Sequence, residues 1–394
     1  MRAAIRIGLV LLALILLPGC WDRREINDVA FVLGSAVDKK GEIYVASIQV
    51  ALPSQMGGAG STGGGGGTSG NKSWMLLSHT ADTLRMANYE EQLYMSRYLF
   101  FAHRRVMLVG EAMAREGLGP MMDILGRIPQ NRLSSYMVAT IGPALPYMKV
   151  TGEIERYPSE IVRELAVNAM KNPVTMKVVI DKLLSEGIDV TLPVIHIVKN
   201  EEDAKGDKST GIKMDSLAVF RHGKLVRILK GEEAQMLLLA MGEAKGTELS
   251  IEAPRGHGEI VFRLENTAAS IESSLRDGRL SFRIGLQGKA VVVENESNFT
   301  LASGDQLEEL GRILNKHLED GVAEVAKSLR QMGADPIGLG RKLSKQRPGE
   351  WERRRATWEE NLQDVQIDVQ AKLQIGNTGT VLKGFGLMEE EQVQ

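Results

Sequence analysis

Cysteine occurs once in 394 residues, at Cys20. That excludes an internal disulfide framework and any zinc site of clustered thiolates. Histidine is scarce as well: six widely spaced positions, no two at the i,i+4 spacing of an HExxH helix. There is no G-x-S-x-G elbow, and Gly256-His257-Gly258 and Gly384-Phe385-Gly386 each lack the third glycine of a dinucleotide loop. An excess of one charge is missing too. The chain has 48 Lys+Arg against 50 Asp+Glu, a net −2, which gives no global pull on nucleic acid. No later apolar run approaches the roughly 20 residues of a membrane span; Ala234–Met241 is among the longest. What remains is 43% hydrophobic and 25% charged, the balance of a globular chain with real cores, long enough for two or three domains. No metal, no cofactor and no catalytic residues are expected.

The first twenty residues are an address. Met1–Arg6 holds Arg2 and Arg6 and no acid, and Ile7–Leu17 is an unbroken apolar run. A charged start, a short apolar middle and a small residue at the end form a secretory pattern. Leu17-Pro18-Gly19-Cys20 resembles a bacterial lipobox. In that reading the signal spans 1–19, cleavage falls between Gly19 and Cys20, and the Cys20 thiol receives a diacylglycerol. Removal of two arginines leaves 46 basic and 50 acidic residues, a net −4. Cys20 to the first predicted strand at Val29 is nine steps, a tether of at most about 30 Å. Trp21 has two open roles, at the headgroup level or packed on the body.

Along the body, Val29–Val37 and Ile43–Val50 read as strands around the polar turn Asp38-Lys39-Lys40-Gly41. Residues 57–70 hold nine glycines in fourteen and read as a flexible loop, not a phosphate cradle. Helices are predicted within Thr80–Tyr94, opened by Thr80 or Asp82, within Glu111–Arg127 with breaks at Gly117 and Gly119-Pro120, and over Glu160–Met170 and Val174–Leu184. Strands are predicted at Arg105–Val109 and Tyr136–Ile141. Asn200–Thr210 is a charged run, read as a linker over 201–210 between an N-terminal region 20–200 and a C-terminal domain 211–394. Beyond it, hairpins are predicted around His222-Gly223 and Asp277-Gly278. Asp305–Met332 shows leucines and valines at steps of three and four, a helix. Val365–Ile375 alternates with period two, a strand. Strands and helices do not alternate regularly, so the fold class is α+β, multi-domain, with mixed sheets. His103, between Phe100-Phe101 and a strand, reads as a structural histidine.

Four blocks in order carry a resemblance: Gly19–Asp28 (GCWDRREIND) with the strand after it; Tyr98–Gly110 (YLFFAHRRVMLVG) with Met122–Arg127; Leu217–Leu225; and Ala334–Gly340 (ADPIGLG) with Trp351 and Trp358. Together, after a lipobox, they are similar to the Ger(x)C lipoproteins, C subunits of bacterial spore germinant receptors. The chain departs from that family in its long glycine loop and at Pro336. The resemblance implies a three-domain α+β body, lipid-anchored at Cys20 on the outer face of the spore inner membrane. It implies partnership with integral-membrane A and B receptor subunits, and no enzymatic activity. A solute-binding lipoprotein feeding a transporter is the alternative reading.

Within the last block, Trp351 and Trp358 are seven apart, which puts them on one face if a single helix runs there. Core packing and an anchor for a partner subunit are both open. Arg341–Arg355 holds seven basic residues against Glu350 and Glu352, a solvated face or a contact for anionic headgroups. Gly338 and Gly340 read as a tight turn.

Overall fold

The computed structural model describes residues 25–52, 73–128, 130–150, 154–199, 210–255 and 257–377. Gly19, Cys20, Trp21, the signal 1–19 and the glycine loop 57–70 lie outside the described residues.

The first half opens with β1 (Val29–Lys40) and β2 (Ile43–Ala51), an antiparallel hairpin whose turn uses Gly41 at φ +61°. β3 (Trp74–Ala81) adds to its edge, and α1 (Leu84–Tyr94) follows, capped by Thr83 rather than Thr80 or Asp82. Thr80 is instead paired inside β3. β4 (Tyr98–Phe100) and β5 (Val106–Val109) come next, then α2 (Glu111–Glu116) and α3 (Gly119–Arg127), which are separated where Gly117 takes φ +133°. β6 (Tyr136–Thr140), α4 (Pro158–Ala169), α5 (Met176–Leu183) and β7 (Thr191–Lys199) complete the half. Asn172-Pro173 separates α4 from α5, since proline removes a helix N–H.

β8 (Thr210–Arg221) and β9 (Lys224–Lys230) join this same sheet, which runs β3-β2-β1-β5-β6-β7-β8-β9 with β4 beside β1. Strands from both sides of the linker expected at 201–210 thus share one sheet. Strands β7 and β8 flank the segment and pair antiparallel from Lys199↔Thr210 to Thr191↔Val219. β1, β5, β6 and β7 are mutually parallel, and β5 and most of β6 are buried on both faces. α4 covers one face through Val162 and Ala166, with Tyr147 and Met148. α2, α3, α5 and then α6 (Gly231–Met241) cover the other.

The second sheet is β10 (Glu248–Glu252), β11 (Glu259–Arg276), β12 (Arg279–Asn295) and β13 (Gln366–Asn377), in that order. Asp277 (φ +49°) and Gly278 (φ +75°) turn the long β11–β12 hairpin, as a two-residue turn with both φ positive requires. α7 (Gly304–Gln331) lies across it. Ser303 and Gln306 form a capping box at its start, and Leu310, Leu314, Leu318, Val322, Val325 and Leu329 face inward. Asn315 both donates to and accepts from the Leu373 backbone, at 3.1 and 2.8 Å, and Glu319 accepts from the Ala371 N–H at 3.0 Å. At Ala371 and Leu373 the open edge of β13 is thereby satisfied by one helix. α8 (Leu339–Gln346), α9 (Pro348–Arg354) and α10 (Trp358–Asp364) close the chain before β13. One apolar cluster runs without interruption from Val37, Met107 and Leu192 through Phe220 and Leu237 to Phe282, Leu318 and Trp358. The two sheets therefore share a core.

Candidate functional site: the Asp335 seam

The segment after α7 carries the ADPIGLG run. Gly333 (φ +68°) ends the helix and Gly338 (φ +79°) stands before the first turn of α8. Between them Asp335 turns inward and is 4% exposed. Its Oδ1 accepts the N–H groups of Gly338 and Leu339, and its Oδ2 that of Gly340, each at 2.8 Å. A helix start leaves such donors without partners, and one carboxylate here takes three of them. The Trp358 indole Nε1–H is the fourth donor, at 3.2 Å. Burial pushes the Asp335 carboxyl up to about 6, against the opposing effect of the Gly340 and Leu339 N–H groups.

The same residue joins the two halves of the chain. Asp335 N–H donates to Asp189 Oδ2 at 2.8 Å, and Asp189 N–H returns a bond to the Asp335 carbonyl at 2.9 Å. Burial raises the Asp189 carboxyl as well, opposed by bonds from the Asp335 and His222 N–H groups. Beside this pair the backbones of Gly187 (φ +68°) and Gly340 touch. A Cβ on Gly340 would lie 2.6 Å from Gly187 Cα, 2.8 Å from Trp358 Nε1 and 2.9 Å from Trp351 Cζ3. Arg341 N–H donates to the Gly187 carbonyl at 2.8 Å. The two glycines of the run thus have different work: Gly338 supplies a positive φ, and Gly340 supplies room.

Trp351 and Trp358 do not share a helix. Arg355–Thr357 forms a 3-10 turn that separates α9 from α10, and the indoles meet edge to face with ring centroids 5.4 Å apart. They are 6% and 7% exposed, and Trp358 also meets Phe282 edge-on. Both belong to the core, which favours the packing reading over the partner anchor, and both also border the cleft along the seam. The basic run beside them is largely paired within the chain. Arg341 bonds Asp181 at 2.9 Å, Arg353 and Arg354 hold Glu350, and Arg355 reaches Glu352 at 3.2 Å and Glu186 at 3.8 Å.

A cleft of 660 Å³ opens along the seam, with Lys182, Glu186, Asp189 and His222 on one wall and Arg355, Trp358 and Glu359 on the other. Glu359 bonds both Arg221 and His222. Burial lowers the Lys182 ammonium to about 8. The cleft mixes both charge signs, and the Asp335 lone pairs are already used on protein donors. Among the described residues no three His, Cys, Asp or Glu side chains are grouped to hold a metal, and no helix is long and apolar enough to cross a membrane. The arrangement holds two parts of one chain in register.

Two polar residues in the core gave no sequence signal. Glu91, on the inner face of α1, is 0% exposed with neither carboxyl oxygen hydrogen-bonded, and burial raises it to about 8. Arg104 is 5% exposed, bonds Asn131 Oδ1 at 2.9 Å, and burial lowers it to about 10. An i,i+3/i,i+4 pattern of Leu84, Ala87 and Glu91 marks position 91 as inward-facing, but its carboxylate masks that. His103 packs against Phe31 and Phe100, ring centroids 5.1 and 5.7 Å away.

Comparison with known sequences places this geometry. Residues 22–197 match the family model described as spore germination protein N-terminal domain, and residues 215–379 match spore germination B3/GerAC-like, C-terminal. The chain is 35% identical over 375 residues to the putative spore germination protein YfkR of Bacillus subtilis (strain 168), covering 95% of this chain and 97% of that protein. It is 26% identical over 388 residues to spore germination protein KC of the same organism, covering 94% and 95%. The crystal structure of the GerBC protein superposes with a TM-score of 0.52 at 19% identity, over 87% of this chain and 96% of that one, a likeness of fold.

Proposed function

The chain belongs to the Ger(x)C family of spore germination proteins, and from that premise we propose that it is the lipid-anchored C subunit of a nutrient germinant receptor. It acts by contact, not by catalysis. The observation that carries this reading is the continuous match of both family domains along one chain, after a lipobox-like Leu17–Cys20. Cys20 carries the diacylglycerol, and the body stands on the outer face of the spore inner membrane. Its partners are the integral-membrane A and B subunits. The Asp335 seam supports this role physically. The reciprocal bonds between Asp189 and Asp335 and a glycine–glycine contact tie both halves together, which gives a displacement a direct path from one partner to another.

Family membership speaks against the alternative of a solute-binding lipoprotein feeding a transporter. The fold agrees: the two sheets share one uninterrupted core, where a hinged binder needs two lobes with separate cores. The test is a spore carrying Cys20→Ala as its sole copy of this gene. Loss of the protein from the membrane fraction together with a slowed nutrient response, read as the fall in optical density, supports the reading. A protein that stays on the membrane and responds at the normal rate refutes it.

A further inference from the structure

Twelve large apolar side chains are well exposed among the described residues, and five of them, Met86, Tyr89, Leu93, Tyr94 and Tyr98, fall in one stretch of thirteen. Leu93 and Tyr94 are 61% and 67% exposed. α1 is therefore apolar on two faces. Leu84, Ala87 and Glu91 face the body, while Met86, Tyr89 and Leu93 recur at steps of three and four outside. A helix lying on a water-soluble body normally keeps its outer face polar.

The position of this stretch decides what meets it. The Gln92 side chain donates to the Arg97 carbonyl at 3.1 Å and accepts the Leu99 N–H at 2.8 Å, which ties β4 to the last turn of α1. β4 runs parallel beside the start of β1, with Tyr98 opposite Val29. Val29 is nine residues from Cys20, at most about 30 Å of extended chain. The patch thus borders the point where the tether enters the body. Its chemistry suits a bilayer surface: tyrosine rings are at home between acyl chains and headgroups. The exposed charges of the stretch are Glu90 and Arg97, a balanced pair, so the apolar and tyrosine surface carries the match.

We propose that the Met86–Tyr98 patch docks the body on the bilayer to which Cys20 ties it, with the tyrosines at headgroup level and Met86 and Leu93 reaching the acyl boundary. The docking rests on the anchoring proposed above. A lipid chain fixes only one point, and a second, weaker contact beside it sets the orientation of the body and hence the face turned toward the other subunits.

The test uses the full lipid-anchored chain on vesicles of phosphatidylcholine and phosphatidylglycerol. Its Cys20 sulfur is blocked by lipid, so Leu93→Cys and, as a control on α7, Glu308→Cys each offer one thiol for a fluorophore. A quencher carried on the lipid chains removes most emission at position 93 and leaves position 308 unchanged. Emission at 93 that the lipid quencher leaves intact, whether the probe is in water or under a protein partner, overturns the docking. With the probe moved to Met86→Cys, the added changes Leu93→Glu and Tyr94→Glu abolish quenching while the chain still floats with the vesicles; persistent quenching overturns the proposal. A chain that fails to float, or that takes label at position 20, overturns the anchoring itself and the docking with it.

Discussion

The indole N–H of Trp358 and the carboxylate of Asp335, 3.2 Å apart, close a circuit that begins in the other half of the chain. Asp335 is held by Asp189, 146 residues earlier, and itself holds the first turn of α8 and the first residue of α10. Both residues sit in the run and tryptophan pair that led to the family resemblance. Their work is to lock the body, and the seam is where that lock is most easily broken.

Asp335→Ala leaves three backbone N–H groups and an indole N–H buried without an acceptor. Each orphaned donor is costly, and together they are expected to lower stability by about 3 kcal/mol or more. Asp335→Asn restores one acceptor oxygen and is expected to fall between. The urea midpoint of the full chain, followed by tryptophan fluorescence, measures both. An alanine variant with an unchanged midpoint would show that the four bonds are not made.

Gly340→Ala and Gly349→Ala separate close approach from mere helix position. A Cβ at 340 would press on Gly187, Trp358 and Trp351, while one at 349 meets nothing within 4 Å. The first is expected to cost about 1–3 kcal/mol through overpacking. The second is expected to be neutral or to gain about 0.5–1 kcal/mol, as alanine replaces glycine within α9. Equal midpoints for the two variants would contradict the contact.

Asn315→Ala with Glu319→Ala strips the side chains that cover the edge of β13. The Leu373 and Ala371 N–H groups then face outward with no partner. A loss of about 1–2 kcal/mol is expected, and a rise in concentration-dependent association, because an open edge invites another strand. Light scattering during a dilution series reads the second effect. A variant that stays monomeric and as stable as the parent would mean the edge is protected some other way.

Much of the fold is legible where the pattern is local. The leucine stripe of α7, the Asp277-Gly278 turn and the alternation before Ile375 each depend on neighbours a few residues away. β3 and β7 escaped because Trp74–Ala81 follows a glycine-rich stretch and Thr191–Lys199 carries a proline, so neither shows a clean alternation. The seam was legible only as a motif. Asp189 has no sequence mark that ties it to Asp335, and the 3-10 turn at Arg355–Thr357, which breaks the expected single helix face, contains no glycine or proline to announce it. Glu91 was hidden for a different reason: a carboxylate on a helix is read as solvent-facing, and only tertiary burial turns it inward.

Glu91 supplies the pH dependence. Its carboxyl is raised from 4.5 to about 8 by burial with no hydrogen bond to oppose it, so the folded chain holds that proton at neutral pH. The unfolded chain releases it near 4.5. Between those two values the folded state binds the extra proton, so its stability is greatest below about pH 4.5 as far as this group is concerned and declines as pH rises toward 8. The loss is roughly 3 kcal/mol by pH 7. Glu91→Met fills the same space with an apolar, flexible side chain and removes the titration. Urea midpoints taken from pH 5 to pH 8 are expected to fall for the parent relative to Glu91→Met, with the variant the more stable above pH 7. Parallel midpoint curves for the two proteins would mean that Glu91 is ionised and solvated in the folded state, and that α1 does not pack as described.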